Sequence, residues 1–443
     1  MQAPIADFVK AYAEEKHSRL HMPGHKGVSF LGCEKYDITE ISGADALYEA
    51  DGIIAQSERN ATDLFGTKRT VYSTEGSSQC IRAMLYLAIN YHRAAEKPYI
   101  IAGRNVHKSF LYAAALLDFD IVWLLPEEMH SLCSCKISAS QIENEIVSRK
   151  QKPAAVYLTC PDYLGGQLDI KSISEVCHKY DTLLLVDNAH GAYLHFLNDR
   201  THPMDMGADL CCDSAHKTLP VLTGGAYLHI NKHTDNYFSE NVKHAMALFG
   251  STSPSYLILS SLDLCNKYIS DKYKNDLENI INVINTTKNE LINNGWQIEI
   301  TDPLKITIKS PDELSGQDIA EKLRNNNIEC EYADSKYIVL MITPQNTKEE
   351  LENLVFVLGK NKYEYKEDVI LKPIMSIQAV SVRKAMFDRQ EVISVDKSVG
   401  RICGVPTVGC PPAIPIVVSG EIISDNAIEI FKYYGIKEVS VVK

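Results

Sequence analysis

Short apolar runs recur between residues 98 and 230, and helix-like stretches stand between them. The runs cover 98–102, 120–125, 154–159, 182–187, 208–212 and 225–230. They are rich in β-branched and aliphatic residues and have no polar face, the pattern of strands covered on both sides. The segments 77–93, 108–117, 138–149 and 170–180 read as helices. Alternation of this kind folds as an α/β layer with a mostly parallel sheet. In such sheets ligands gather at the carboxyl ends of strands. Polar residues just past those ends are therefore the first candidates for chemistry.

Downstream, a long helical stretch at 256–292 ends near Asn293-Asn294-Gly295. Strands at 296–301, 304–310 and 337–343, with helices at 314–325 and 348–359, describe a small α+β domain. From about residue 367 the sequence is richer in Pro and Val, and it ends in a strand-like 438–443. The expected organisation is an N-terminal segment (1–53) and a large domain (54–255). A helical connection with the small domain (256–366) and a C-terminal subdomain (367–443) follow.

The formal net charge of −12 works against nucleic acid or an anionic membrane as partner. No apolar run is long enough to span a bilayer. Met1-Gln2-Ala3-Pro4 has neither the basic nor the apolar region of a secretory signal, so a cytoplasmic location is expected. The 12 cysteines include only two close pairs, Cys133-Ser134-Cys135 and Cys211-Cys212. Neither has the repeated spacing of a zinc site. Reduced, mostly buried thiols and no bound metal are expected.

Two of the runs end in suggestive residues. Leu183-Leu184-Leu185-Val186 leads into Asp187, and the next run leads into Asp213-Ser214-Ala215-His216-Lys217. A lysine amine at a strand end can hold pyridoxal phosphate as a Schiff base, and a carboxylate nearby can keep the ring nitrogen protonated. Each residue alone has an ordinary alternative: Asp187 as a helix cap, Lys217 as a solvated surface group. Their occurrence one strand apart favours the cofactor. Ser214 and His216 are placed to donate to its phosphate or phenolic oxygen.

The phosphate needs N–H groups at a helix start. Thr74-Glu75-Gly76-Ser77-Ser78-Gln79, ahead of the helical 80–90, supplies one, although any serine-rich cap looks similar. Gly76, Ser77 and Ser78 are the candidates there. Glu75 would repel a phosphate and is expected to point elsewhere. His107 follows the run at 98–102, as a ring that stacks on the cofactor or as an ordinary loop histidine.

With these residues the chain resembles the ornithine/lysine/arginine decarboxylase family. The match is to the short bacterial form, which lacks an N-terminal wing domain. The motifs, in order, begin with His21-Met22-Pro23-Gly24-His25-Lys26-Gly27, Asp37-Ile38-Thr39-Glu40 and Asp51-Gly52-Ile53-Ile54. His107-Lys108-Ser109 and Thr159-Cys160-Pro161-Asp162-Tyr163-Leu164-Gly165 come next. Asp187-x-Ala189-His190-Gly191, Ser214-x-His216-Lys217-Thr218-Leu219-Pro220 and Thr252-Ser253-Pro254-Ser255-Tyr256 complete the core. Gly400-Arg401-Ile402 and Pro411-Pro412-x-Ile414-Pro415 lie near the end.

The resemblance implies an aspartate aminotransferase fold and pyridoxal phosphate on Lys217. It makes Asp187 the ring-nitrogen partner and His107 the stacking ring. His190 would line the pocket, and Ser77, Ser78, Ser214 and His216 would serve the phosphate. It also implies a homodimer or higher homo-oligomer with shared sites, in which Ser253 and Ser255 reach a partner's phosphate. Members usually carry Glu at the position of Asn188, His at Tyr193, an amide at Gly224 and an acid near Val405. Ala46 stands where a second Asp would follow Asp45, and Gly409-Cys410 precedes Pro411 where the family has Pro-Tyr.

The expected function is decarboxylation of lysine, ornithine or arginine to the amine, a step toward polyamines. Lys217 or His216 would return a proton to Cα. Asp45, Glu49 and Asp51 are the acids expected to meet the substrate's charged end. The altered positions keep two alternatives open. One is an aminotransferase or a β- or γ-elimination lyase acting on a non-basic amino acid. The other is a non-catalytic regulatory homologue, against which the retention of Lys217 and Asp187 argues.

Overall fold

The computed structural model describes residues 1–92, 96–365, 376–406 and 413–443. The motif residues Gly409, Cys410, Pro411 and Pro412 lie outside them. Chain order begins α1 (Pro4–Glu14), α2 (Ile53–Phe65), β1 (Arg69–Ser73), α3 (Ser77–His92), β2 (Tyr99–Gly103), α4 (Lys108–Leu117) and β3 (Asp120–Leu124). It continues through α5 (Ala139–Val147), β4 (Ala155–Thr159), α6 (Ile170–Lys179), β5 (Leu183–Asp187), β6 (Leu210–Asp213), α7 (Ala215–Thr218) and β7 (Ala226–Ile230). Next come α8 (Asn236–Ala247), α9 (Tyr256–Tyr268), α10 (Lys274–Asn293), β8 (Gln297–Ile298), β9 (Lys305–Lys309) and α11 (Gly316–Arg324). Last are β10 (Tyr332–Ala333), β11 (Tyr337–Met341), α12 (Lys348–Leu358), α13 (Val382–Phe387), β12 (Gln390–Ser394), α14 (Asp425–Tyr433) and β13 (Glu438–Val442). Every apolar run expected as a strand is one. Among the described residues no helix is long and apolar enough to cross a membrane.

The chain forms two compact units, Met1–Arg93 with Leu183–Leu277, and Ala94–Thr182 with Glu278–Lys443. In the first, the strands run in the order β1-β7-β6-β5. β5 and β6 are parallel, while β7 is antiparallel to both β6 and β1. β1 was not expected, because Arg69-Thr70 gives it a polar start. Its buried polar groups are satisfied locally. Thr70 N–H donates to Thr62 Oγ1, and Ser73 Oγ–H donates to Gln79 Oε1 at 2.6 Å. α3 buries Cys80, Ile81, Met84, Leu85 and Leu87.

Carboxylates organise the helix starts of this unit. Asp263 Oδ2 accepts the N–H groups of Ile5 (2.8 Å) and Ala6 (3.0 Å), and its Oδ1 accepts Ser57 Oγ–H. α1 is thereby pinned by its own N-terminus, where a negative charge is favoured. Asp45 does the same for α2. It accepts N–H groups from Asp51 (3.2 Å), Gly52 (2.9 Å), Ile54 (3.0 Å) and Ala55 (3.3 Å). Asp45 is thus committed to capping rather than held ready for a substrate, whereas Glu49 and Asp51 are exposed.

In the second unit β4-β2-β3 is fully parallel. A separate antiparallel sheet runs in the order β10-β11-β9-β8, and β12 pairs with β13. Its helix starts use capping boxes: Ser138 with Gln141, Ser315 with Asp318 and Thr347 with Glu350. Buried charges are paired. Arg104 meets Glu421 at 2.9 Å and lies over Trp123, and Lys305 meets Asp302 at 3.0 Å. The strand expected at 296–301 shortens to β8, where Ile300 turns out to solvent.

Removing the α2 cap tests this reading of the acids. Asp45→Ala should lower the unfolding free energy by about 1–2 kcal/mol, with Asp45→Asn retaining much of it. Urea unfolding measures both. Equal stability of Asp45→Ala and wild type would contradict the capping role.

Candidate active site

The first unit brings most of the expected residues together. The register of β5 and β6 sets Asp187 beside Cys212. Asp187 is buried, and it accepts Ala189 N–H at 3.2 Å and the Cys212 thiol at 3.6 Å. Burial pushes the Cys212 thiol well up, so it stays a donor. Asn188 N–H donates to Cys212 O, which closes the strand pair just beyond Asp187.

β6 ends at Asp213 and the chain turns at Ser214 into the single turn of α7. That turn carries His216 and Lys217. Lys217 N–H donates to Ser214 O at 2.9 Å, and Lys217 Nζ lies 3.0 Å from His190 Nε2. His190 sits in the turn after β5, so both strand ends supply this contact. The His216 ring is fixed by Gly225, whose carbonyl lies 3.0 Å from Nδ1. Nδ1 therefore carries a hydrogen.

The helix start expected for a phosphate stands beside this turn. Ser214 Oγ–H donates to Ser77 Oγ at 2.7 Å. Ser77 and Ser78 open α3, where the first N–H groups have no earlier helical carbonyl. Gly76 lies in the left-handed region at φ +70°, and its N–H donates to Gly224 O at 2.7 Å. Gly76 therefore shapes the loop, and its N–H is used within the protein. Gly224, at φ +100°, has no room for a side chain: a Cβ there would meet Thr74 O at 2.8 Å. Glu75 is directed away, its Oε1 accepting Ser251 N–H at 2.8 Å.

The donor set suits pyridoxal phosphate. It offers an amine for the aldehyde, a buried carboxylate for the ring nitrogen, and a helix start with two hydroxyls for the phosphate. Ser253 is exposed. Ser255 caps α9, its Oγ accepting Ile258 N–H. In the second unit, His107 caps α4: its Nδ1 accepts Ser109 N–H at 3.2 Å and lies 2.9 Å from Ser109 Oγ. Sequence reasoning missed Asp213. No motif flags it, because its partners His202 and His229 come from separate elements.

The profile described as "Orn/Lys/Arg decarboxylase, major domain" matches residues 3–313, and that described as "Orn/Lys/Arg decarboxylase, C-terminal domain" matches 361–440. An arginine decarboxylase of Bacillus subtilis is 28% identical over 466 residues, covering 97% of this chain and 93% of that protein. An arginine decarboxylase of Halalkalibacterium halodurans is 28% identical over 458 residues, covering 96% and 92%. Among solved structures, the lysine decarboxylase LdcF of Francisella novicida has a TM-score of 0.82 at 17% identity, over 100% of this chain and 81% of that chain. The last likeness is one of fold, the aspartate aminotransferase-like α/β arrangement.

If Lys217 is the attachment point, protein incubated with pyridoxal phosphate and reduced with borohydride should carry a pyridoxyl mass on the Lys217 peptide. Lys217→Ala should carry none. Peptide mass mapping that places the group on another lysine would remove Lys217 from this role.

Proposed function

The chain belongs to the Orn/Lys/Arg decarboxylase family, and on that premise we propose that it uses pyridoxal phosphate to decarboxylate arginine. Decarboxylation of a basic L-amino acid to its amine is the family's reaction. Arginine is preferred because the arginine decarboxylases of Bacillus subtilis and Halalkalibacterium halodurans align along nearly the whole chain. The observation that carries the reading is the meeting of Lys217, Asp187 and the Ser77–Ser214 hydroxyl pair at neighbouring strand and helix ends.

When bound, pyridoxal phosphate supplies an electron sink conjugated to the substrate's α-carbon. The protein's part is to hold, orient and move protons. Lys217 offers the attachment amine, and His190 keeps that amine aimed by contact with Nζ. Asp187, buried at the end of β5, would stabilise a proton on the ring nitrogen through its opposite charge. The α3 start with Ser77, Ser78 and Ser214 would take the phosphate. Lys217 or His216 would deliver the proton to Cα.

We also infer that the working form is a homodimer with shared sites. Leu20, Phe30 and Leu31 are 94%, 79% and 89% exposed, large apolar side chains that a second copy would cover. Ser253 is exposed on a segment expected to reach a partner's phosphate. The cysteines of the described residues form no disulfide with one another, which suits the reducing cytoplasm proposed for it.

Arginine, lysine and ornithine offered separately, with CO₂ and oxo-acid both assayed, test the reaction. CO₂ and amine should appear fastest from arginine. Asp187→Asn, loaded with cofactor, should be slower by about tenfold to a hundredfold, the rate equivalent of ~1.4–3 kcal/mol. Oxo-acid as the main product would overturn the proposal.

The shared-site reading has its own test. Subunits of Lys217→Ala and Ser253→Ala, mixed and allowed to exchange, should show more activity than the two variants assayed apart. A monomer active at high dilution would rule it out.

A further inference from the structure

Behind the two strand ends of the first unit lies a closed polar cluster. Asp213, the last residue of β6, has no solvent exposure. Its Oδ2 is 3.0 Å from His202 Nε2 and 3.0 Å from His229 Nε2, and its Oδ1 accepts Asn188 Nδ2–H at 2.6 Å. Both histidines are fully buried, and Phe65 packs on them, 4.5 Å from the His229 ring centre and 5.9 Å from that of His202.

The His202 ring acts as a neutral donor. Met204 N–H donates to His202 Nδ1 at 3.2 Å, so Nδ1 is an acceptor and Nε2 carries the hydrogen. The same fact argues against a metal held by His202, Cys211 and Asp213, whose ligand atoms lie close together. A metal on Nε2 would require a hydrogen on Nδ1, pointing at the Met204 N–H. On His229, Nδ1 lies 2.8 Å from Thr70 Oγ1, and burial pushes the ring's pKa down. Burial pushes Asp213 up, but its histidine partners outweigh this and hold the carboxyl well below the usual range. The result is an ionised carboxylate in a closed core, held by hydrogen bonds from both rings and from the Asn188 amide.

The cluster touches the candidate site on both sides. Asn188 follows Asp187, and its side chain is tied to Asp213. Cys212 precedes Asp213 and gives its thiol to Asp187, and Ser214 follows it and bonds Ser77. Where the resemblance places an acid, position 188 is here an amide, and it is bonded to the Asp213 carboxylate across the strand pair. We propose that Asp213 is a positioning residue for the cofactor site: through Asn188 it locks the turn after Asp187, and it supplies a second fixed negative charge behind the ring-nitrogen partner. This rests on the pyridoxal phosphate reading given above.

Three variants test it: Asp213→Asn, Asn188→Ala, and the swap Asn188→Asp with Asp213→Asn. Histidine-selective ¹⁵N NMR of the cofactor-free protein should show Nε2–H tautomers for His202 and His229, and a changed state for one ring in Asp213→Asn. Asp213→Asn should weaken pyridoxal phosphate binding and lower kcat, each by about tenfold or more, with KM moved far less. The swap should recover most of both losses. Asn188→Ala leaves the Asp213–histidine cluster whole and cuts only its tie to the turn, so it reads the role even if Asp213→Asn does not fold. It should shift the visible absorbance of the bound cofactor and lower kcat without a matching fall in melting temperature. Wild-type absorbance and kcat in Asn188→Ala would overturn the proposal. So would an Asp213→Asn protein that is merely less stable, with normal kcat per bound cofactor. Loss of the pyridoxal phosphate reading itself would appear separately, as failure to label Lys217.

Discussion

The parallel pairing of β5 with β6 is the constraint on which the candidate site depends. Its register sets Leu185 against Leu210, Val186 against Cys211 and Asp187 against Cys212. Parallel strands open their carboxyl ends on the same side, so the Asp187 turn and the Lys217 turn emerge together. A slip of one residue would send Asp187 to the opposite face and leave His190 out of reach of Lys217. The flanking β7 is buried at every position, which holds the register from the other side of β6.

Much of this was legible beforehand, because the β5 and β6 runs are apolar throughout and end in residues with distinct chemistry. Lys217, Asp187, Ser77, Ser214 and His190 could be named from strand ends and motif order. β1 could not, because Arg69 and Thr70 hide a strand whose polar groups are met by Thr62 and His229. Asp45 was misjudged because its acid looks available in the sequence. The five backbone N–H groups it accepts, from Ala46 to Ala55, exist only once α2 has formed. The Asp213 cluster was invisible for a related reason. His202 lies in a loop and His229 on a neighbouring strand, and neither spacing matches a motif.

The acids of the first unit share a pattern. Asp263 and Asp45 receive N–H groups at the starts of α1 and α2, and Glu75 receives that of Ser251. Each binds backbone that would otherwise lack a partner. For Glu75 the arrangement also clears the start of α3. A carboxylate that would repel a phosphate is tied to the loop ahead of α9, and the hydroxyls of Ser77 and Ser214 are left facing one another. Local stability and the chemistry of the helix start are served by the same bonds.

The closed surroundings of Asp213 separate two kinds of charge in this protein. The net −12 is carried largely by exposed side chains, whose fields are screened by dissolved ions over about 10 Å at moderate ionic strength. Asp213 has no exposed atom and is wrapped by two rings and an amide. Counter-ions cannot approach it, and it is joined to Asp187 through the Asn188 turn and the Cys212 thiol. The potential at the strand ends is therefore set when the chain folds, and it stays nearly constant across salt concentrations that reshape the potential of the outer surface.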